Sequence, residues 1–212
     1  MAKQNPEKAF QYEYSSAGHT TTPSNVTEIL NRVQELLPSG KLNILEVGCG
    51  NGWTADYLTG LGHIVTAVDT SESGIAIARK NYPTVKRFEV ASAYDDLAQI
   101  ESKADIVIAL EVIEHLMLPR KFLQTAFNAL RPEGHLILST PYHGYLKNLA
   151  ICLLNKWDAH HSVEWDGGHV KFFSVQSLSS LLRDAGFIDP HFKGAGRVPW
   201  LWKSMICRAT KT

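Results

Sequence analysis

The sequence predicts one α/β domain built on a mostly parallel sheet, because strand-like apolar runs alternate with amphipathic helical segments along its 212 residues. Strands joined through a helix run parallel, and predicted helices join the first strand to the second, the second to the third, and the fourth to the fifth. The last two predicted strands, 187–194 and 204–210, are joined by a loop alone and are expected to pair antiparallel. We therefore expect a seven-stranded sheet with helices on both faces.

The remaining elements follow from local signals in the sequence. Ser71 is expected as the N-cap of a helix with Glu72 in its first turn, Pro119 marks a helix start, and Gly186 ends a helix. The predicted strands before the antiparallel pair are 43–47, 64–69, 86–90, 104–110 and 135–140. The predicted helices are 26–37, 54–59, 71–81, 120–130 and 175–185.

The composition bounds the class of protein. Lys plus Arg and Asp plus Glu both number 21, so the formal net charge is zero and a dominant nucleic-acid partner, which usually leaves a basic excess, is not indicated. Three scattered cysteines with no C-x-x-C pair fit a reducing compartment and give no zinc signal. The first residues are polar, and no apolar run reaches the length of a membrane span. We therefore expect a cytoplasmic protein.

The most informative segment is Asn43–Gly52, in which an apolar strand runs into glycines at alternate positions. Missing side chains let another group approach the backbone closely, and the N-terminus of the next helix faces the same place. Glu46 precedes the glycines, and Asp69 ends the next apolar strand. This pattern predicts a pocket for an adenosine-containing cofactor.

The spacing of the glycines and the acidic residue select the cofactor. A dinucleotide fingerprint ends in a small residue that allows a pyrophosphate beside the helix, whereas Trp53 fills that place here. The carboxylate of Glu46 suits a cationic ligand, and S-adenosylmethionine (SAM) carries a sulfonium and an ammonium. A glycine-rich turn without ligand and a nicotinamide or flavin site are the alternatives.

The segment Glu46-x-Gly48-x-Gly50-x-Gly52 resembles motif I of class I SAM-dependent methyltransferases. Further blocks resemble the methyltransferases related to ubiquinone-biosynthesis O-methyltransferase: Glu111–Leu116 with Pro119, Leu130–Gly134 and Ser139–Tyr142. The resemblance spans roughly residues 43–141. It implies a Rossmann-like sheet with one reversed strand near its edge.

The resemblance also implies cofactor contacts at the carboxyl ends of the strands. Asp69 would accept hydrogen bonds from both ribose hydroxyls, although an acidic residue at this place can also serve as a helix cap. An Asp usual in the family after the third strand is missing here, which leaves Ala93 and Tyr94 as the adenine contacts. The cofactor-binding residues expected are Glu46, Gly48, Cys49, Gly50, Asp69, Thr70, Ser71, Ala93, Tyr94 and Glu111.

Three side chains, Glu111, Glu114 and His115, have a spacing that one helical turn would aim to one side. Together they suit Mg²⁺, which would lower the pKa of an acceptor hydroxyl. In related proteins without metal, the first Glu backs the cofactor and the His faces the acceptor. A structural role is the third interpretation, and His115 as catalytic or orienting group is the one we adopt, with no metal ligand assigned.

Two segments fall outside the alternating pattern. Residues 1–24 and the insertion 141–173 are rich in aromatic and histidine side chains, and we expect both to cover the acceptor and cofactor. His169 is expected as a second catalytic residue, with a satisfied loop histidine as the alternative. Phe172 and Phe173 are expected in the core.

These observations predict a SAM-dependent methyltransferase whose acceptor is a hydroxyl of a small, partly apolar molecule, by analogy with the family. The alternatives are a SAM-binding protein without catalytic activity and an enzyme that methylates nitrogen or carbon. An amino-methylating enzyme of nucleic acids would carry an Asn/Asp-Pro-Pro-Tyr block where Glu111–Glu114 stands.

Overall fold

The computed structural model describes residues 12–16, 23–161, 164 and 167–212. Its centre is a seven-stranded sheet with the order β3-β2-β1-β4-β5-β7-β6. Strand β7 runs antiparallel to β5 and to β6, and the other strand pairs are parallel. The predicted reversed strand near the sheet edge is confirmed. The strands are β1 Asn43–Val47, β2 Ile64–Asp69, β3 Arg87–Val90, β4 Ala104–Leu110, β5 Leu130–Pro141, β6 Phe187–Ala195 and β7 Ser204–Lys211.

Helices cover both faces of this sheet, as predicted. Two core clusters of apolar side chains result, one with Phe122 and Phe187 and the other with Leu58 and Ile75. The helices are α1 Pro23–Leu36, α2 Trp53–Gly60, α3 Glu72–Asn81, α4 Leu97–Ile100, α5 Pro119–Ala129, α6 Tyr145–Leu153, α7 Trp157–His161 and α8 Val175–Asp184, with one 3₁₀ turn at Ile113–His115.

One predicted helix cap is confirmed, and two other predicted boundaries differ from the structure. The Ser71 hydroxyl accepts a hydrogen bond from the amide of Gly74 and so starts α3, as the sequence predicted. Helix α5 ends one residue earlier than expected, because Leu130 already pairs with Ala104 of β4. The predicted loop region 141–173 contains α6 and α7, which the sequence had not indicated.

The strand order reverses between β1 and β4, since β2 lies on one side of β1 and β4 on the other. In open sheets of this kind the ligand crevice lies outside the carboxyl ends of the strands at that point. The predicted glycine turn follows β1, Asp69 ends β2, and the predicted Glu111–His115 segment follows β4. The topology therefore brings them to one edge of the sheet.

Candidate active site

The glycine-rich turn after β1 is backbone that no other residue type fits. Gly48 and Gly50 have φ angles of 78° and 53°. A Cβ atom on Gly48 would lie 2.4 Å from a methyl group of Val112, and one on Gly50 would lie 2.5 Å from the hydroxyl of Tyr14. The turn is thus tightly packed against neighbouring groups, as the glycine pattern had suggested.

Asp69 closes this turn from the end of β2. Its Oδ2 accepts a hydrogen bond from the Gly50 amide at 2.7 Å, and its Oδ1 accepts one from the Ser71 amide at 2.8 Å. Burial raises the pKa of the carboxyl, and the amide donors partly offset this. Asp69 therefore fixes the two loops between which a ligand at this edge would lie.

Glu46 is a buried carboxyl beside Asp69. Its side chain is 3% exposed, and its Oε2 has no hydrogen-bond partner. Burial, and then the negative charge of Asp69, raise its pKa to about 8. A buried acid without a partner is costly unless a positive group pairs with it, so this position fits the cationic part of SAM.

The segment of residues 12–16 lies across the same turn. The Ser71 hydroxyl donates to the carbonyl of Tyr12 at 2.6 Å, the amide of Tyr14 donates to the Ser73 hydroxyl at 3.0 Å, and the Asn51 side chain donates to the carbonyl of Ser16 at 3.0 Å. The phenol of Tyr14 is half-buried near Asp69. This burial, and then the negative charge of Asp69, raise the pKa of Tyr14. Of the predicted cover of residues 1–24, this described part does reach the turn; Phe10 and His19 lie outside the described residues.

The other predicted cofactor residues differ in their burial and in their hydrogen bonds. Cys49 is buried in the turn, and Thr70 is exposed beside it. Ala93 and Tyr94 are both buried, but the Tyr94 hydroxyl accepts a hydrogen bond from the Leu118 amide at 3.0 Å. The ring of Tyr94 therefore packs toward α5, while the Ala93 carbonyl accepts from the Thr125 hydroxyl at 2.8 Å and the Tyr94 amide donates to the Ser92 hydroxyl at 3.2 Å.

Glu111 does not share a face with Glu114 and His115, so that expectation is wrong. Its φ angle of 54° places it before the 3₁₀ turn rather than on a common helix. The carboxyl instead accepts a hydrogen bond from the Ser139 hydroxyl at 2.7 Å and lies 3.4 Å from the Ser204 hydroxyl. The Mg²⁺ ligand set predicted from spacing is therefore not formed.

A different set of three side chains comes together: Glu114, His115 and His169. Their possible ligand atoms all lie within 4.8 Å of one another. The Glu114 carbonyl accepts hydrogen bonds from the amides of Val170 and Lys171 at 2.9 and 3.0 Å, which holds the end of the insertion against the 3₁₀ turn. The two histidines predicted as catalytic are thus neighbours, with ring centroids 4.9 Å apart.

His115 is held in one tautomer. Its Nδ1 lies 3.3 Å from the carbonyl oxygen of Gly168, which can only accept, so Nδ1 carries the proton. Burial lowers the pKa of the ring, so the neutral form prevails at pH 7. Nε2 then carries a lone pair and lies 4.0 Å from Oε1 of Glu114. In this tautomer Nε2 is able to accept a proton.

Glu114 is fully buried, and the hydroxyl of Thr140 is its side-chain hydrogen-bond partner. Burial and the charge of Glu111 raise its pKa well above the usual value. A positive charge nearby, either an imidazolium at His115 or a divalent cation, would stabilise the carboxylate.

Several basic side chains of the insertion were not singled out by sequence reasoning. Lys147 is 3% exposed on α6, and His143 is 8% exposed just after β5. A lysine within the otherwise apolar segment Tyr145–Leu153 was the available signal. Phe173 is buried as expected, whereas Phe172 is 52% exposed and contacts His143, so its predicted place in the core is wrong.

The sheet order, the glycine turn and the reversed strand together define the fold of class I methyltransferases. A family model described as a methyltransferase domain matches residues 19–189. The chain belongs to this family of methyltransferase domains.

Curated relatives agree with this class. A Mycobacterium tuberculosis protein named as a probable SAM-dependent methyltransferase is 31% identical over 69% of this chain and 49% of its own length. The mitochondrial ubiquinone biosynthesis O-methyltransferase of Schizosaccharomyces pombe is 33% identical over 74% of this chain and 58% of its own length. The chain thus spans about half the length of the curated relatives it matches first.

Solved structures share the fold. A SAM-dependent methyltransferase of Thermotoga maritima has a TM-score of 0.67 at 23% identity and covers 89% of this chain and 90% of its own. One from Mesorhizobium loti has a TM-score of 0.66 at 18% identity, with coverages of 85% and 96%. Among the described residues, no helix has the length and apolar character needed to cross a bilayer.

Cofactor binding is expected to release about one proton near pH 7, because Glu46 is protonated in the free protein and a cationic ligand favours its carboxylate. Calorimetry of SAM binding in buffers of different ionisation enthalpy measures this proton. Release should disappear well above pH 8 and in Glu46→Gln, and persist in the exposed control Glu133→Gln. Equal release in Glu46→Gln and in the wild type would contradict the assignment.

Proposed function

We propose that this protein transfers the methyl group of SAM to a hydroxyl of a small, partly apolar molecule, with His115 as the base that receives the hydroxyl proton. The single observation that carries the proposal is the fixed tautomer of His115, which directs an unprotonated Nε2 to the side opposite its contact with Gly168. An alcohol or phenol oxygen must lose its proton during transfer, so this group meets the need of an oxygen acceptor. The ubiquinone O-methyltransferase relatives support the same class of acceptor.

The cofactor supplies the methyl group on a sulfonium, and the remaining work is alignment. Glu46 would pair with the positive charge, Asp69 would accept from the ribose, and the turn at Gly48–Gly50 would lie against the amino-acid part. His115 takes the acceptor proton on Nε2 as the oxygen attacks the methyl carbon. Glu114, 4.0 Å away, then stabilises the imidazolium.

Closure is the proposed role of the two segments outside the alternating pattern. Residues 1–24 and 141–173 would cover the reacting groups and exclude water from them. The contacts of Tyr12 and Tyr14 at the glycine turn, and of Gly168 at His115, support this role. The free cysteines Cys49, Cys152 and Cys207 keep a reducing compartment such as the cytoplasm as our expectation.

A second candidate mechanism uses a metal ion, and the buried carboxyl of Glu114 beside two imidazoles favours it. The available donors are one carboxylate and two imidazoles, a set that suits Zn²⁺ or Mn²⁺ better than Mg²⁺, which prefers oxygen. Glu114, His115 and His169 would hold the ion, which would lower the pKa of the acceptor hydroxyl.

Turnover is expected to be insensitive to EDTA, because the proposed base needs no metal. The test follows release of S-adenosylhomocysteine (SAH) with panels of phenols, catechols, carboxylic acids and short RNA, with and without EDTA. Loss of activity in EDTA that Zn²⁺ or Mn²⁺ restores would assign hydroxyl activation to a metal. Turnover of amines or RNA alone would contradict the acceptor class, and cofactor binding with no turnover of any acceptor would favour a non-catalytic protein.

A further inference from the structure

A second group of histidines, called here the histidine cluster, lies in the insertion and comprises His143, His160 and His161. The rings of His143 and His161 are stacked, with centroids 5.5 Å apart and an interplanar angle of 20°. His160 lies 5.0 Å from His161 and 6.2 Å from His143. The ring of Phe172 packs edge-on against His143 and His161 at 4.9 and 5.1 Å. Three imidazoles are therefore held together by packing.

Lys147 adds a buried positive charge to this cluster. Its Nζ donates to the carbonyls of Tyr142 at 2.7 Å and Lys203 at 3.4 Å, which are neutral acceptors. No salt bridge among the described residues involves Lys147 or the nearby Arg197. Burial, and then the charge of Arg197, lower the pKa of Lys147 to about 8, and the charge of Glu111 partly offsets this. The charge of this ammonium is only partly compensated.

One polar atom of the cluster has no partner among the described residues. Nε2 of His161 is buried with no hydrogen bond, whereas the ring of His143, 8% exposed overall, has the side chain of Asn148 as a hydrogen-bond partner. A buried polar atom without a partner costs free energy that a bound ligand can recover. Since His160 is exposed, the cluster is open to solvent on that side.

A metal ion does not fit these nitrogens. Lys147 and Arg197 would repel a cation, and the group of described residues whose ligand atoms meet within 4.8 Å is Glu114, His115 and His169 instead. An anion fits, because each imidazole can donate a hydrogen bond to it and the ammonium compensates its charge. Burial and the charge of Lys147 lower the pKa values of His143 and His160 to about 4, and a bound anion would counteract this.

The cluster adjoins the proposed catalytic pair. The ring of Phe172, which packs on His143 and His161, lies three residues after His169, and the His143 amide donates to the carbonyl of Phe173 at 2.9 Å. A molecule whose hydroxyl faces His115 can therefore extend into the cluster.

We propose that the histidine cluster and Lys147 bind an anionic group, a carboxylate or a phosphate, carried by the methyl acceptor itself. This inference rests on the proposed function, and it narrows the acceptor from a hydroxyl compound to a hydroxy acid or hydroxy phosphate. The acceptor hydroxyl lies at His115 and its anionic end at the cluster, so the length between the two ends sets the specificity.

The test is calorimetric titration of the full chain saturated with SAH. The probes are hydroxyphenyl alkanoic acids of increasing chain length, their methyl esters and a hydroxyphenyl phosphate. At the best length, the acid is expected to bind about tenfold more tightly than its ester, the gain of one or two charge-assisted hydrogen bonds. Equal affinity of acids and esters at every length, with the phosphate no better, would overturn the inference.

Variants locate the anion. In the double variant His160→Gln/His161→Gln the ratio of acid to ester affinity should fall toward one, whereas the exposed histidine variant His191→Gln on β6 should keep it. If the double variant does not fold, the single variant His160→Gln on α7 gives the same comparison. An unchanged ratio in these variants would show that the anion binds elsewhere.

The same probes separate this inference from the proposed function. In a turnover assay with SAM, release of SAH with acids and esters alike, together with equal affinity for both, would leave the methyltransferase proposal standing and remove the anion site. Tight binding of acids without release of SAH for any probe would support the anion site and count against oxygen methylation of such molecules.

Discussion

Asp69→Ala is expected to weaken SAM and SAH binding by about a hundredfold or more. Asp69 lies at the end of β2, where its carboxylate would accept two charge-assisted hydrogen bonds from the ribose, each contributing roughly 1.5–3 kcal/mol. Asp69 also accepts hydrogen bonds from the amides of Gly50 and Ser71, so the variant also loosens the glycine turn. Calorimetric titration with SAH measures the affinity.

Two further variants separate ribose binding from loop support. Asp69→Asn keeps one oxygen for an amide donor but presents an NH₂ group to the ribose, so its Tm should change less than its affinity. Asp184→Ala removes an exposed carboxylate that pairs with Arg120, and it should leave the affinity unchanged. Undiminished SAH affinity in a folded Asp69→Ala protein would remove Asp69 from the cofactor site.

His115→Gln is expected to slow methyl transfer by about 10²–10⁴-fold, the usual contribution of a positioned general base. The affinity for SAH should stay the same, because the ring faces Glu114 and His169 rather than the glycine turn. Turnover with saturating SAM, measured as SAH release, gives the rate, and His191→Gln is the matched control. An unchanged rate would remove His115 from the mechanism.

The pH profile distinguishes a base from a merely structural histidine. Burial lowers the pKa of His115, so the active neutral form persists to a pH below the ordinary histidine range. The wild-type rate should be flat around neutral pH and fall only in acid, and this acid limb should be absent in His115→Gln. An acid limb of the same shape in both proteins would assign the titration to another group.

The strands of the sheet centre could be predicted because their signals are local. Strands β1, β2 and β4 have the bounds that were predicted, namely Asn43–Val47, Ile64–Asp69 and Ala104–Leu110. Each is a mostly apolar run bounded by turn residues. The N-cap at Ser71 is equally local. His169 was predicted as a second catalytic residue, and the structure places its ring beside that of His115.

The orientation of Glu111 could not be predicted from spacing. Helical spacing assumes a helix through Glu111, but a φ angle of 54° breaks it, and the carboxyl bonds to Ser139 and approaches Ser204 on β5 and β7, far away in sequence. The hydrogen bond that the Tyr94 hydroxyl accepts from the amide of Leu118, just before α5, is a contact of the same kind. Contacts between distant segments decide such side chains, and the sequence pattern does not contain them.

The insertion was the least predictable part. Helix α6 is apolar on most sides, so its periodicity is weak, and the buried Lys147 interrupts the pattern. The histidine cluster forms only when α7 folds back on the loop after β5. The histidine cluster therefore could not be predicted without the tertiary arrangement.

The most direct test of the central claim is a competition titration of the purified protein with SAM and NAD⁺. A cationic sulfur donor should bind one to one beside Glu46 and Asp69, and NAD⁺ should neither bind nor displace it. Binding of NAD⁺ at this turn together with no heat from SAM would contradict the whole account.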